Sequence, residues 1–140
     1  MAKATTSEVM TKEVETIHED ETVDAAARRL ANENVGALPI VDKQKHIKGI
    51  LTDRDIVVSV LARGRDPKTT RVRELEIGEI YTVSPTDSVE HAGELMAKHK
   101  VRRIPVVERG AVVGIISSSD VARTADPDFV VKVFREILTH

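Results

Sequence analysis

The sequence predicts an α/β (α+β) protein: two pseudo-symmetric β-α-β-β-α repeats packed through their sheets, closed by a C-terminal helix. Three observations predict it. The chain repeats itself at a fixed offset, each copy orders helical and β-branched runs in the same way, and the last residues carry an apolar stripe at helical spacing. At an offset of 66, Thr16 falls on Thr82, Val23 on Val89, Ala26 on Ala92, Leu30 on Met96, Val35 on Val101, Leu38 on Ile104 and Pro39 on Pro105. One residue is then lost in a loop, after which Gly49 falls on Gly114, Ile50 on Ile115, Thr52 on Ser117 and Asp55 on Asp120.

In the first copy, Val14–Ile17 is a short extended piece followed by the turn-like HEDE at 18–21. Thr22 is a suitable N-cap for a helix from Val23 to about Glu33, with Val23, Ala26, Ala27 and Leu30 on one face. ALPIV at 37–41 and HIKGIL at 46–51 are β-branched, apolar and separated by the polar DKQK, which predicts a hairpin. A second helix is expected from about Asp53 to Arg63, stopped by Gly64. The second copy repeats this plan: Ser88 caps a helix over 89–99, strands lie at 103–107 and 111–116, and a helix follows Ser118. Beyond it, Asp126 and Pro127 start a helix whose stripe is Phe129, Val130, Val133, Phe134, Ile137 and Leu138. That stripe either packs on the body of the protein or meets another chain.

Composition narrows the functional classes. The 140 residues are 41% hydrophobic and 31% charged, the range of an ordinary globular protein. Aromatics make up only 2%, so Val, Ile, Leu and Ala must build the core. Formal net charge is -2 with the signs interspersed, which offers no basic surface to nucleic acid or anionic lipid. There is no cysteine for a disulfide or a thiolate metal site. No apolar run approaches a bilayer span, and MAKATTSEVM lacks the apolar core of a signal peptide, so a cytoplasmic protein is expected. His18, His46, His91, His99 and His140 are scattered; His91 and His99 lie two helical turns apart, too far for an i, i+4 metal pair. No spacing suggests a catalytic carboxylate pair or a nucleophile elbow, and no enzyme is expected.

The chemistry concentrates in the repeated GILTDRDI (49–56) and GIISSSDV (114–121). Each is a strand that ends on a hydroxyl residue with an aspartate three positions later. One reading is a cap: the hydroxyl accepts an N–H bond and the aspartate complements the positive end of the helix. The other is a ligand site, in which helix N–H groups and Arg54, or the Arg102–Arg103 pair, suit phosphate while the aspartate accepts ribose hydroxyls. For the arginines themselves, a solvated face with surface ion pairs is the alternative.

The repeated unit, the ALPIV and RIPVV strands and the two turn sequences resemble a tandem pair of cystathionine-β-synthase (CBS) domains, a Bateman module, over about residues 7–125. The implied organisation is motif 1 at 7–62, a linker at 63–72, motif 2 at 73–125 and the added helix at 126–140. The resemblance implies a regulatory sensor of adenosyl ligands (AMP, ADP or ATP, with NAD or S-adenosylmethionine as further candidates) that needs no cofactor. It also implies clefts to which both copies contribute, a homodimer, energy sensing, and an unidentified regulated protein partner. Carried over by position, one residue set is Lys12, Val14, Val35, Gly36 and Ala37 with Ser117, Ser119 and Asp120. The other is Gly78, Ile80, Val101, Arg102 and Arg103 with Thr52, Arg54 and Asp55. The arginine-rich second set is the expected main phosphate-bearing site. The competing expectation is a dimerisation or docking module whose nucleotide clefts are vestigial.

Overall fold

The computed structural model describes residues 4–139. The chain divides into two compact units: Glu15–Ile80, and the described residues up to Val14 together with those from Tyr81 onward.

In the first unit, β1 (Ile17–His18) runs parallel to β2 (Ala37–Val41), with Ile17 opposite Ile40. Between them lies α2 (Val23–Glu33). Its start is held by Thr22, whose hydroxyl accepts the Ala25 N–H at 3.2 Å, and its end by Asn34 in the left-handed region at φ 53. Asparagine tolerates that conformation better than most residues, so the helix stops there without a glycine. β2 and β3 (Ile47–Thr52) form the antiparallel hairpin, placing Ala37 opposite Thr52 and Leu38 opposite Leu51. Every position of β2 is buried, as its unbroken apolar run requires.

The helix expected over 53–63 departs from regular geometry. α3 (Asp53–Ile56) is regular for one turn and then widens into a π-helical turn at Val57–Leu61. There the Ala62 N–H reaches the Val57 carbonyl, five residues back, at 2.9 Å. Ile56, Val57, Val58 and Val60 crowd β-branched side chains against the preceding turn, which disfavours tight α winding. Gly64 then ends the segment at φ 72, as expected.

Past Gly64 the chain folds back on the same unit. Val72 and Leu75 are buried beside Ile17, Leu38, Leu51 and Val60 in one core, and Ile77 packs against that core.

In the second unit, a single residue replaces β1: Val83 pairs in parallel with Val106. α4 (Val89–His99) is capped by Ser88, which accepts the His91 N–H at 3.0 Å. β4 (Arg103–Glu108) and β5 (Ala111–Ser117) form the hairpin, and α5 (Ser118–Thr124) follows. α6 (Pro127–Leu138) packs on α4 and α5, so the core reading of its stripe holds. Val133 and Ile137 are buried and Phe129 and Val130 pack against the core, whereas Leu138, assigned to the stripe from the sequence, points outward at 53% exposure. Gly93 makes room for Phe129: a Cβ at that position would lie 2.7 Å from the ring.

The N-terminal segment joins this second unit. α1 (Thr6–Val9) donates the Thr6 N–H to the Asp87 carbonyl at 2.7 Å, and Thr11 forms an antiparallel bridge with Ile115. Gly114 lies beneath this crossing, where a Cβ would come within 2.5 Å of the Met10 sulfur. The equivalent Gly49 lies beneath Ile77, at 3.0 Å. The repeated glycine therefore marks where a foreign segment passes over each hairpin. Among the described residues no helix is long and apolar enough to cross a membrane.

Candidate functional site: two strand-to-helix turns

Each hairpin delivers its second strand into a hydroxyl-x-x-aspartate turn. Thr52 and Ser117 are both extended, at φ -114 and φ -112, and each starts a helix at the next residue. The Thr52 hydroxyl accepts the Asp55 N–H at 3.1 Å, and the Ser117 hydroxyl accepts that of Asp120 at 3.3 Å. In return, Oδ2 of Asp55 accepts the Thr52 N–H and hydroxyl at 2.8 and 2.9 Å. Oδ2 of Asp120 does the same with Ser117 at 2.8 and 3.0 Å. Both turns are thus complete capping boxes, one of the two alternatives left by the sequence.

The cap uses only one oxygen of each carboxylate. Oδ1 of Asp55 has no hydrogen-bond or ion-pair partner among the described residues. Oδ1 of Asp120 accepts from Nη2 of Arg123, one turn along α5. Asp120 is also the more deeply placed, at 5% exposure, while Asp55 is half-buried. Arg123 escaped the sequence analysis. The signal for it in the sequence is the i, i+3 spacing from Asp120, outside the repeated turn motif.

The remaining expected residues come together within each unit as follows. In the first, the Gly36 carbonyl accepts the Asp53 N–H at 3.0 Å, which sets Val35, Gly36 and Ala37 beside Thr52 and Asp55. Val35 is exposed and Ala37 buried. Ile77 packs over Gly49 of that strand, and Gly78 and Ile80 follow it in the chain, Gly78 exposed and Ile80 half-buried. In the second unit, the Arg102 carbonyl accepts the Ser118 N–H at 2.7 Å, and Arg103 pairs with Ser117 across the hairpin. Val101 is half-buried at the approach to that strand. Lys12 and Val14 follow Thr11, which bridges to Ile115 of β5, Lys12 exposed and Val14 half-buried. Ser119 is exposed on the turn itself.

The guanidinium groups of Arg54, Arg102 and Arg103 form no ion pair among the described residues. Of the alternative of a solvated face with surface ion pairs, the solvated part describes Arg54 and Arg102, which are exposed, while the ion pairs are missing. His99 stacks on Tyr81 with ring centroids 3.6 Å apart, and His18 and His46 lie near Asp20 and Asp42. Among the described residues no three His, Asp or Glu side chains converge as metal ligands would.

A strand, a capped turn and a helix, built twice around an aspartate, agree with the family comparison: the CBS domain matches residues 7–62 and again 72–126. The chain belongs to the CBS-domain family, as a tandem pair. Hypoxic response protein 1 of Mycobacterium tuberculosis is 37% identical over 133 residues, covering 95% of this chain and 93% of that protein. A crystal structure of Hypoxic Response Protein I with two coordinated zinc ions matches at a TM-score of 0.79 and 39% identity, covering 86% of this chain and 98% of that one. The CBS domain pair of protein MJ0100, in complex with 5′-methylthioadenosine and S-adenosyl-L-methionine, matches at a TM-score of 0.77 and 28% identity, over 87% and 95% of the two chains.

Proposed function

We propose that this CBS pair is a regulatory module that binds an adenosyl ligand at its hydroxyl-x-x-aspartate turns, with the Asp55 turn as the principal site. The observation that carries the reading is the divided carboxylate of Asp55: Oδ2 completes the cap and Oδ1 is left to accept ribose hydroxyls. Arg54 sits one residue away with an uncommitted guanidinium suited to a phosphate. The adenosyl ligands of the MJ0100 pair support the same ligand class. AMP and ATP are favoured over uncharged ligands because the arginines reward an anionic group. Regulation follows if occupancy favours one conformation over another, and it can shift that balance only by its differential affinity. The zinc of Hypoxic Response Protein I is not carried over, because this chain has no cysteine and no converging set of metal-binding side chains among the described residues.

A second reading, docking onto a second copy of the chain, is favoured by Val57, Val58 and Leu61. These lie exposed at 55%, 44% and 56% on the π-helical turn. A thermal-shift screen with AMP, ATP, NAD and S-adenosylmethionine separates the two. A ligand at a hundredfold excess over its Kd stabilises by about 2.7 kcal/mol. A shift with at least one ligand is expected; no shift with any, together with a concentration-dependent dimer, favours docking alone.

A further inference from the structure

We infer that Arg123 is a latch that closes the second turn to a ribose diol, so that the two turns of this chain differ in affinity through one position on the helix that follows. The inference rests on the adenosyl reading above. Its basis is a difference between two otherwise equivalent turns. Both aspartates spend Oδ2 on the same two bonds to their capping residue. Only Asp120 has Oδ1 occupied, by Nη2 of Arg123. The residue equivalent to Arg123 in the first copy is Val58, which has nothing to donate. A diol approaching Asp55 meets an acceptor without a partner. At Asp120 it must first displace a charge-assisted bond to a buried carboxylate.

The latch is displaceable, because the Arg123 side chain is 67% exposed and its partner only 6%. Solvent takes up the released guanidinium, so the second turn is weakened rather than abolished. The arrangement also makes Val58 a specificity-determining position in the first turn, although it carries no polar atom.

Titration calorimetry with AMP on the wild type, Arg123→Val and Val58→Arg tests this, with thermal melts confirming that each variant folds. Arg123→Val should tighten the weak site or reveal a second one, by about two- to fivefold in affinity. Adding Asp120→Asn to Arg123→Val should remove that gain. Val58→Arg, which installs the latch opposite Asp55, should weaken the principal site by a similar factor. Two equal sites in the wild type would overturn the latch, as would wild-type binding that neither Arg123→Val nor Val58→Arg alters; both results leave the adenosyl reading standing. Absence of AMP binding in the wild type and in Arg123→Val alike would remove the adenosyl reading, and the latch with it.

Discussion

A carboxylate has two acceptor oxygens, so Asp55 can complete its cap with one and keep the other for the ligand proposed above. The capping and ligand readings looked like rivals in the sequence, where an aspartate is a single letter. Atomic geometry makes them compatible, and it locates the difference between copies in what reaches Oδ1. That difference was not legible from motif matching, because Arg123 lies outside the motif and acts through helical spacing. A second residue-scale feature is Glu21, whose carboxylate takes Arg29 in a two-point ion pair at 3.0 and 3.1 Å while Arg29 also donates to the Thr16 carbonyl. Burial raises the Glu21 carboxyl, but the Arg29 hydrogen bonds, the His18 N–H and the attraction of Arg29 outweigh it and hold it below its ordinary value of 4.5. A carboxyl lowered in the folded state stabilises above its unfolded value, and that contribution fades as pH falls through the folded value. Glu21→Gln should therefore lower stability at pH 7 by on the order of 1 kcal/mol, a modest amount because solvent screens the pair. In denaturant titrations the gap from wild type should close as pH falls below 4.5; a gap that stays constant would show that the charge is not responsible.

At the scale of elements, whatever local chemistry dictates was legible. α2 and α4 begin and end where Thr22, Ser88 and the apolar spacing place them, and both hairpins lie within a residue or so of the expected strands. The widened turn at Val57–Leu61 was not legible, since β-branched crowding lowers helix propensity without announcing how the helix responds. Nor was the first strand, which shrinks to Ile17–His18 in one copy and to the single residue Val83 in the other. The glycine shared by the hairpins was visible in the repeat, but its cause is a crossing segment distant in sequence. That cause makes a graded prediction. Gly114→Ala brings a methyl to 2.8 Å from the Thr11 backbone carbonyl, which cannot swing aside, and should cost about 1–3 kcal/mol. Gly49→Ala meets the Cγ2 methyl of Ile77 at 3.0 Å, a side-chain and not a backbone atom, and should cost less. Equal losses in chemical denaturation would mean that the N-terminal crossing is not constraining.

On the scale of the whole molecule, the duplication is accompanied by an exchange. Val72, Leu75 and Ile77 stand at the start of the second copy yet complete the core of the first, while Thr6–Thr11 stand at the start of the first copy yet join the second. Sequence order alone could not reveal this, because pairing across a hundred residues leaves no local pattern. Deleting the residues before Val14 should therefore act on the second unit. In hydrogen exchange the Ile115 amide, which donates to the Thr11 carbonyl at 3.0 Å, should lose protection while the β3 amides keep theirs. Loss confined to the first unit would contradict the exchange.

The central claim is that Asp55 holds an adenosyl ligand through the oxygen its cap does not use. Asn at this position retains a carbonyl oxygen for the cap but loses the charge and one acceptor, so Asp55→Asn separates binding from folding. Titration calorimetry with AMP on the wild type and Asp55→Asn is the direct measurement. The wild type should bind, and Asp55→Asn should bind at least about tenfold more weakly, close to 1.4 kcal/mol, with little change in its thermal melt. Unchanged affinity in Asp55→Asn, with the loss appearing in Asp120→Asn instead, would contradict the account.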